Sequence, residues 1–121
     1  MSGHEEMLRR LYVGDEDYVG RLLADDASNE QASHLDGKTH ALVRMAALVA
    51  VDAAPTSYLE AIEAARRFRA TSEEIVGCLL AVLPAVGIAR VVSAAPKVGL
   101  ALGYDVERAL ESHDASGKIR P

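Results

Sequence analysis

Apolar residues recur at helical spacing along most of this chain, and the two-residue alternation of a half-buried strand is absent. Residues 4–12 form a first helical stretch with Met7, Leu8 and Leu11 in register, and Gly14 suits its end. Residues 15–25 form a second, with Tyr18, Val19, Leu22 and Leu23 on one side. Residues 26–35 are polar and read as a loop. A third helix starts after Asp36, a good N-cap, with Leu42, Met45, Ala46 and Val49 at i, i+3, i+4 and i+7. Pro55 interrupts the pattern. Ser57 with Glu60, and Thr71 with Glu74, have capping-box spacing. The fourth helix covers about 56–69, with Tyr58, Ile62 and Ala65 on one face and Arg66, Arg67 and Arg69 at the end that favours positive charge. A fifth, 72–83, is apolar around most of its circumference, and Pro84 and Gly87 mark a break or kink. The sixth runs over 86–102, bent near Pro96 and closed by Gly103. A short last helix starts at Asp105, and residues 113–121 read as a loose tail. The expectation is an all-α fold, a compact helical bundle of about six to seven helices.

Composition narrows what such a bundle does. At 121 residues the chain has the length of one domain. Aromatics are only 4%, so the core has to be assembled from Ala, Val, Leu and Ile through many small interhelical contacts. The net charge is -5, and residues 1–35 hold eight acids against three bases while the remaining 86 hold ten of each. That surface repels phosphate backbones and argues against nucleic acid as a partner. Cys78 is the single cysteine, which excludes an internal disulfide and a thiolate metal cluster. No His/Asp/Glu grouping has metal-ligand spacing, so neither metal nor cofactor is expected. The first residues lack the basic and apolar regions of a signal peptide, which makes a cytoplasmic location the default expectation. The uncharged run from Ile75 to Ala89 is 15 residues, short of the roughly 20 that span a bilayer. It reads as buried helix, with no membrane partner.

Three stretches resemble the carboxymuconolactone decarboxylase and alkylhydroperoxidase D-like family. They are Leu35-Asp36-Gly37-Lys38-Thr39 leading into the helix to Val51, then Ala64-Ala65 with Ala70-Thr71-Ser72-Glu73-Glu74-Ile75, and Leu79-Leu80 with Val86-Gly87-Ile88-Ala89. Together they span residues 35 to about 95. The resemblance implies an all-α domain of the alkylhydroperoxidase D-like type. Residues 35–112 would be its core, 1–34 an acidic helical extension, and 113–121 the tail. It also implies a homotrimer or hexamer held through residues 75–102.

The redox motif of the peroxidase branch is missing. Alignment back from Ala70 sets Ala54 and Ser57 where that branch has its Cys-x-x-Cys pair, Ala61 where it has histidine, and Ala41 or Leu42 where it has glutamate. No cysteine lies anywhere from 46 to 77, and no histidine between 41 and 112. Peroxide reduction needs a thiolate, a base to form it and a second thiol to resolve the sulfenic acid. Cys78, on an apolar helix, reads as a core residue. The decarboxylase branch keeps the histidine, and Ala61 departs from that as well.

Five residues remain as candidates for binding a substrate, and none is assigned as catalytic. His40 and Arg44 share a helix face at i, i+4 and suit a carboxylate or enolate-like anion; the alternative is an exposed helix edge. Arg90 is the only charge between Glu74 and Lys97; it lines a pocket, joins an intersubunit ion pair, or points out of the bundle. Ser57 and Tyr58, with Asp52, stand where the resemblance places the family's active site, although Ser57 also reads as a helix cap. His4 and His113 are expected in solvent. Three functions compete: an oligomeric small-molecule binder or scaffold without thiol chemistry, an enzyme acting on a lactone or other organic acid through His40, Arg44 or Arg90, and a residual peroxidase using Cys78. A small organic anion is the ligand class the basic candidates suggest.

Overall fold

A computed structural model of the chain describes residues 2–116, with side chains through residue 112. Among the described residues every regular element is a helix. They form two compact units, one ending at Asp36 and one starting at Gly37. The His113 side chain and the tail residues 117–121 lie outside the described residues.

The first unit contains α1 (Gly3–Tyr12), α2 (Glu16–Ala24) and α3 (Asp26–Ser33). Each starts on a side-chain cap: Ser2 accepts from the Glu5 amide, Asp15 from that of Tyr18, and Asp25 from that of Ala27. The third cap explains a correction. Residues 26–35 are not a loop; α3 forms there without an apolar stripe because Asp25 fixes its start and left-handed His34 (φ 57°) its end. None of the three helices has a fully buried residue. Local polar contacts replace a core: Glu6 pairs with Arg9 and Arg10, and the Arg10 guanidinium lies 5.2 Å from the centre of the Tyr18 ring. His4 is exposed.

The second unit contains α4 (Gly37–Ala50), α5 (Pro55–Arg67), α6 (Ser72–Val86), α7 (Ile88–Ala101) and α8 (Val106–Ser116). Eight helices in all are thus described, against the six to seven expected. Residues 113–116, expected in the tail, belong to α8. Helix α4 packs on α5, α6 and α7; α7 also packs on α5, α6 and α8. Met45 and Val49 from α4, Tyr58, Ile62 and Ala65 from α5, Ile75 and Leu79 from α6, and Ala94 and Val98 from α7 form the core. The Thr71 hydroxyl accepts from the Glu74 amide while the Glu74 carboxylate accepts from the Thr71 amide, completing the capping box that opens α6. Thr71→Ala is expected to cost about 1 kcal/mol, read as a lower urea midpoint.

Neither proline ends a helix. Helix α6 continues through Pro84 to Val86 and α7 runs through Pro96, so of the two residues that mark the break it is Gly87, not Pro84, that ends the helix. The chain reverses instead at Gly87, a single residue with φ 86° and ψ 163°, a backbone region almost reserved for glycine. Glycine has a second task at Gly37, where an added Cβ would lie 2.2 Å from the Phe68 ring. No described helix is long and apolar enough to cross a membrane.

Candidate functional site

The turn between α4 and α5 places a carboxylate against the flank of α7. Asp52 takes a left-handed conformation (φ 52°), which aspartate tolerates better than most residues. On α7, Arg90, Ser93 and Lys97 lie at i, i+3 and i+7 and converge on it. Ser93 Oγ donates to Asp52 Oδ1 at 2.6 Å, and Lys97 Nζ donates to the same oxygen at 3.2 Å. Lys97 also donates to the Ala53 carbonyl at 2.8 Å. Arg90 approaches the second oxygen more loosely, at 3.7 Å. Burial follows the same order: the side chains of Lys97, Asp52 and Arg90 are 22%, 40% and 49% exposed. The hydrogen bonds from Ser93 and Lys97, then the charges of Lys97 and Arg90, hold the Asp52 carboxyl below its ordinary pKa.

That depression has a sign. The group is charged more readily in the folded chain than in the unfolded one, so its stabilisation is present above the unfolded carboxylate pKa. It is lost as pH falls through the folded pKa. Glu74 behaves alike, held low first by Lys38 and then by the Thr71 amide. Asp52→Asn is expected to flatten the acid limb of the urea midpoint against pH, and an unchanged limb would show that the cluster does not couple to folding.

Tyr58 is the second notable group. It sits in the first turn of α5, fully buried, and its hydroxyl has no hydrogen-bond partner. Buried phenols usually have one. Burial, and secondarily the charge of Asp52, push its pKa up.

The expected site residues divide into two groups. Arg90 pairs with Asp52, Tyr58 feels the charge of Asp52, and the half-buried Ser57 adjoins Tyr58 in the same turn. Ser57 is not a cap, because α5 begins at Pro55 with Ala54 as N-cap. His40 and Arg44 belong elsewhere. His40 lies in the first turn of α4 and Arg44 near its middle, and about 15 Å of helix axis separates His40 from the end that leads to Asp52. His40 is buried while Arg44 is exposed, so the pair does not share one environment. Ser93 and Lys97 complete the cluster without having been singled out. The signal for them is in the sequence: with Arg90 they are the only charged or hydroxyl residues from Ile75 to Leu102, at helical spacing.

Cys78 is half-buried against the core, and burial pushes its thiol up, away from the reactive thiolate. Among the described residues no cluster of His, Cys, Asp or Glu could hold a metal ion. A shallow, open depression of about 340 Å³, lined by Ser72, Glu73, Val76, Gly77, Leu80 and Tyr104, contains none of the expected residues. Comparison with protein-family models, with curated proteins and with solved structures gives no match for this chain.

Proposed function

We propose that this chain is a self-associating helical protein of the carboxymuconolactone decarboxylase-like type, free of thiol redox chemistry, that serves as an oligomeric small-molecule binder or scaffold. The observation that carries the reading is the outward face of α6 and α7. Opposite the core, Val76, Leu80 and Leu83 on α6 and Ile88, Val92 and Leu100 on α7 stand exposed, with no charged residue between them on that face. Leu80, Ile88, Val92 and Leu100 are each more than 60% exposed. Such side chains together expose on the order of 500 Å² of hydrocarbon, at the upper end of what a monomer usually carries. Intervening Ala81, Ala85, Ala89 and Gly99 extend the patch toward the roughly 800 Å² per partner of a stable interface and let another backbone come close. An uncharged face needs no oppositely charged partner, and a second copy of itself fits it within a closed ring.

Absence of redox chemistry rests on Ala54 and Ser57 at the start of α5, where the resemblance implies a cysteine pair, and on the raised pKa of Cys78. Light scattering at micromolar concentration tests the assembly. A trimer or hexamer is expected, and a monodisperse monomer would overturn the reading.

A further inference from the structure

The C-terminal end of α5 concentrates unspent positive charge. Arg66, Arg67 and Arg69 are all exposed, and none of the three guanidinium groups pairs with a described acidic residue. They are not needed to finish the helix. The Arg69 amide donates to the Arg66 carbonyl at 2.9 Å and the Ala70 amide to the Ala65 carbonyl at 3.0 Å, so the backbone closes its own end. The helix dipole favours positive charge there, but three cations in so short a stretch repel one another. Phe68 stands between them. It is 43% exposed, yet its ring lies against Gly37, where an added Cβ would overlap it. Part of the ring is thus seated on the start of α4, and the rest is open to solvent. Arg69 adds a second peculiarity. Its backbone is left-handed (φ 64°), at the position after a helix where glycine is favoured. Arginine stands there against its conformational preference, and strain of that kind collects at functional positions.

We propose that Arg66, Arg67, Phe68 and Arg69 form a docking surface for an acidic segment of another protein, one with aspartate or glutamate flanking an apolar side chain. Guanidinium groups hold carboxylates through paired N–H donors. A ring fixed in place gives the apolar side chain a seat. Arginine clusters read acidic motifs in this way. A nucleic acid fits less well. The chain carries a net charge of -5 in spite of these arginines, so a long phosphate backbone meets repulsion beyond the patch. The surface shares no residue with the outward face of α6 and α7, and it adds a second kind of partner to the proposed function.

The test is fluorescence anisotropy with a labelled peptide of glutamates around a central leucine, titrated with the full chain at low and at physiological salt. A single-stranded oligonucleotide of the same length is the second probe. Saturable binding of the peptide, weakened by salt and tighter than that of the oligonucleotide, is expected. Arg66→Gln with Arg67→Gln is expected to weaken it about tenfold. Arg69→Gly separates function from folding. It is expected to raise the melting temperature, because glycine takes the left-handed conformation without strain, and to weaken peptide binding several-fold. Lost binding in a stabilised chain cannot come from unfolding. An absence of saturable binding, binding that survives replacement of all three arginines, or tighter binding of the oligonucleotide would overturn the proposal.

Discussion

A Val92→Glu chain is expected to run as a folded monomer where the unaltered chain runs as a trimer or hexamer. Val92 is 62% exposed on the outward face of α7, so in a single chain the new carboxylate stays in water. Surface changes of that kind typically alter stability by no more than about 0.5 kcal/mol. Inside an interface the same carboxylate loses its hydration without a partner, at an effective cost of several kcal/mol per ion. Val91→Glu is the control. Val91 is one residue away, turned about 100° around the helix, half-buried and packed against the core. Its replacement is expected to unfold the chain rather than dissociate it. Light scattering with circular dichroism tells the two apart, and an unchanged mass for Val92→Glu would remove α7 from the interface.

Met45→Ala is expected to lower stability by about 2–5 kcal/mol, a large share of the roughly 5–15 kcal/mol a domain has. Met45 is fully buried on α4, the helix that packs on α5, α6 and α7 together. A cavity there borders several helices, and their backbones cannot all close on it. Val43→Ala, two residues earlier and exposed, is expected to change stability by about 0.5 kcal/mol or less. Urea titrations with unchanged slope measure both, and equal midpoint shifts would contradict the placement of Met45 at the centre of the core.

Where an apolar stripe and a turn signal coincide, local pattern is enough. Tyr58, Ile62 and Ala65, one face of a predicted helix, are all buried, and the Thr71–Glu74 box forms as its spacing implies. Ser57 and Glu60 have the same spacing and form no box, because Pro55 at the first helical position starts α5 earlier. Helix α3 escapes periodicity because Asp-Ala-Ser-Asn-Glu-Gln-Ala-Ser has no stripe to read. Pro84 does not end α6, because an exposed proline removes one backbone hydrogen bond and leaves the rest of the helix to continue to Val86. The polar cluster was half legible. Arg90, Ser93 and Lys97 stand out against an apolar background, but Ser93 and Lys97 reach Asp52 across 41 and 45 residues of sequence. No local rule links positions so far apart; the packing of α7 on α4 and α5 does.

The two prolines also set what the outward face can touch. Lacking an N–H, Pro84 and Pro96 leave the carbonyls of Leu80 and Val92 without their usual helical donors, on residues that face solvent. In hydrocarbon each such oxygen would cost several kcal/mol. The face is therefore greasy by its side chains and thirsty by its backbone. A lipid surface can satisfy the first property and not the second, whereas a polypeptide or a trapped water supplies the missing donor.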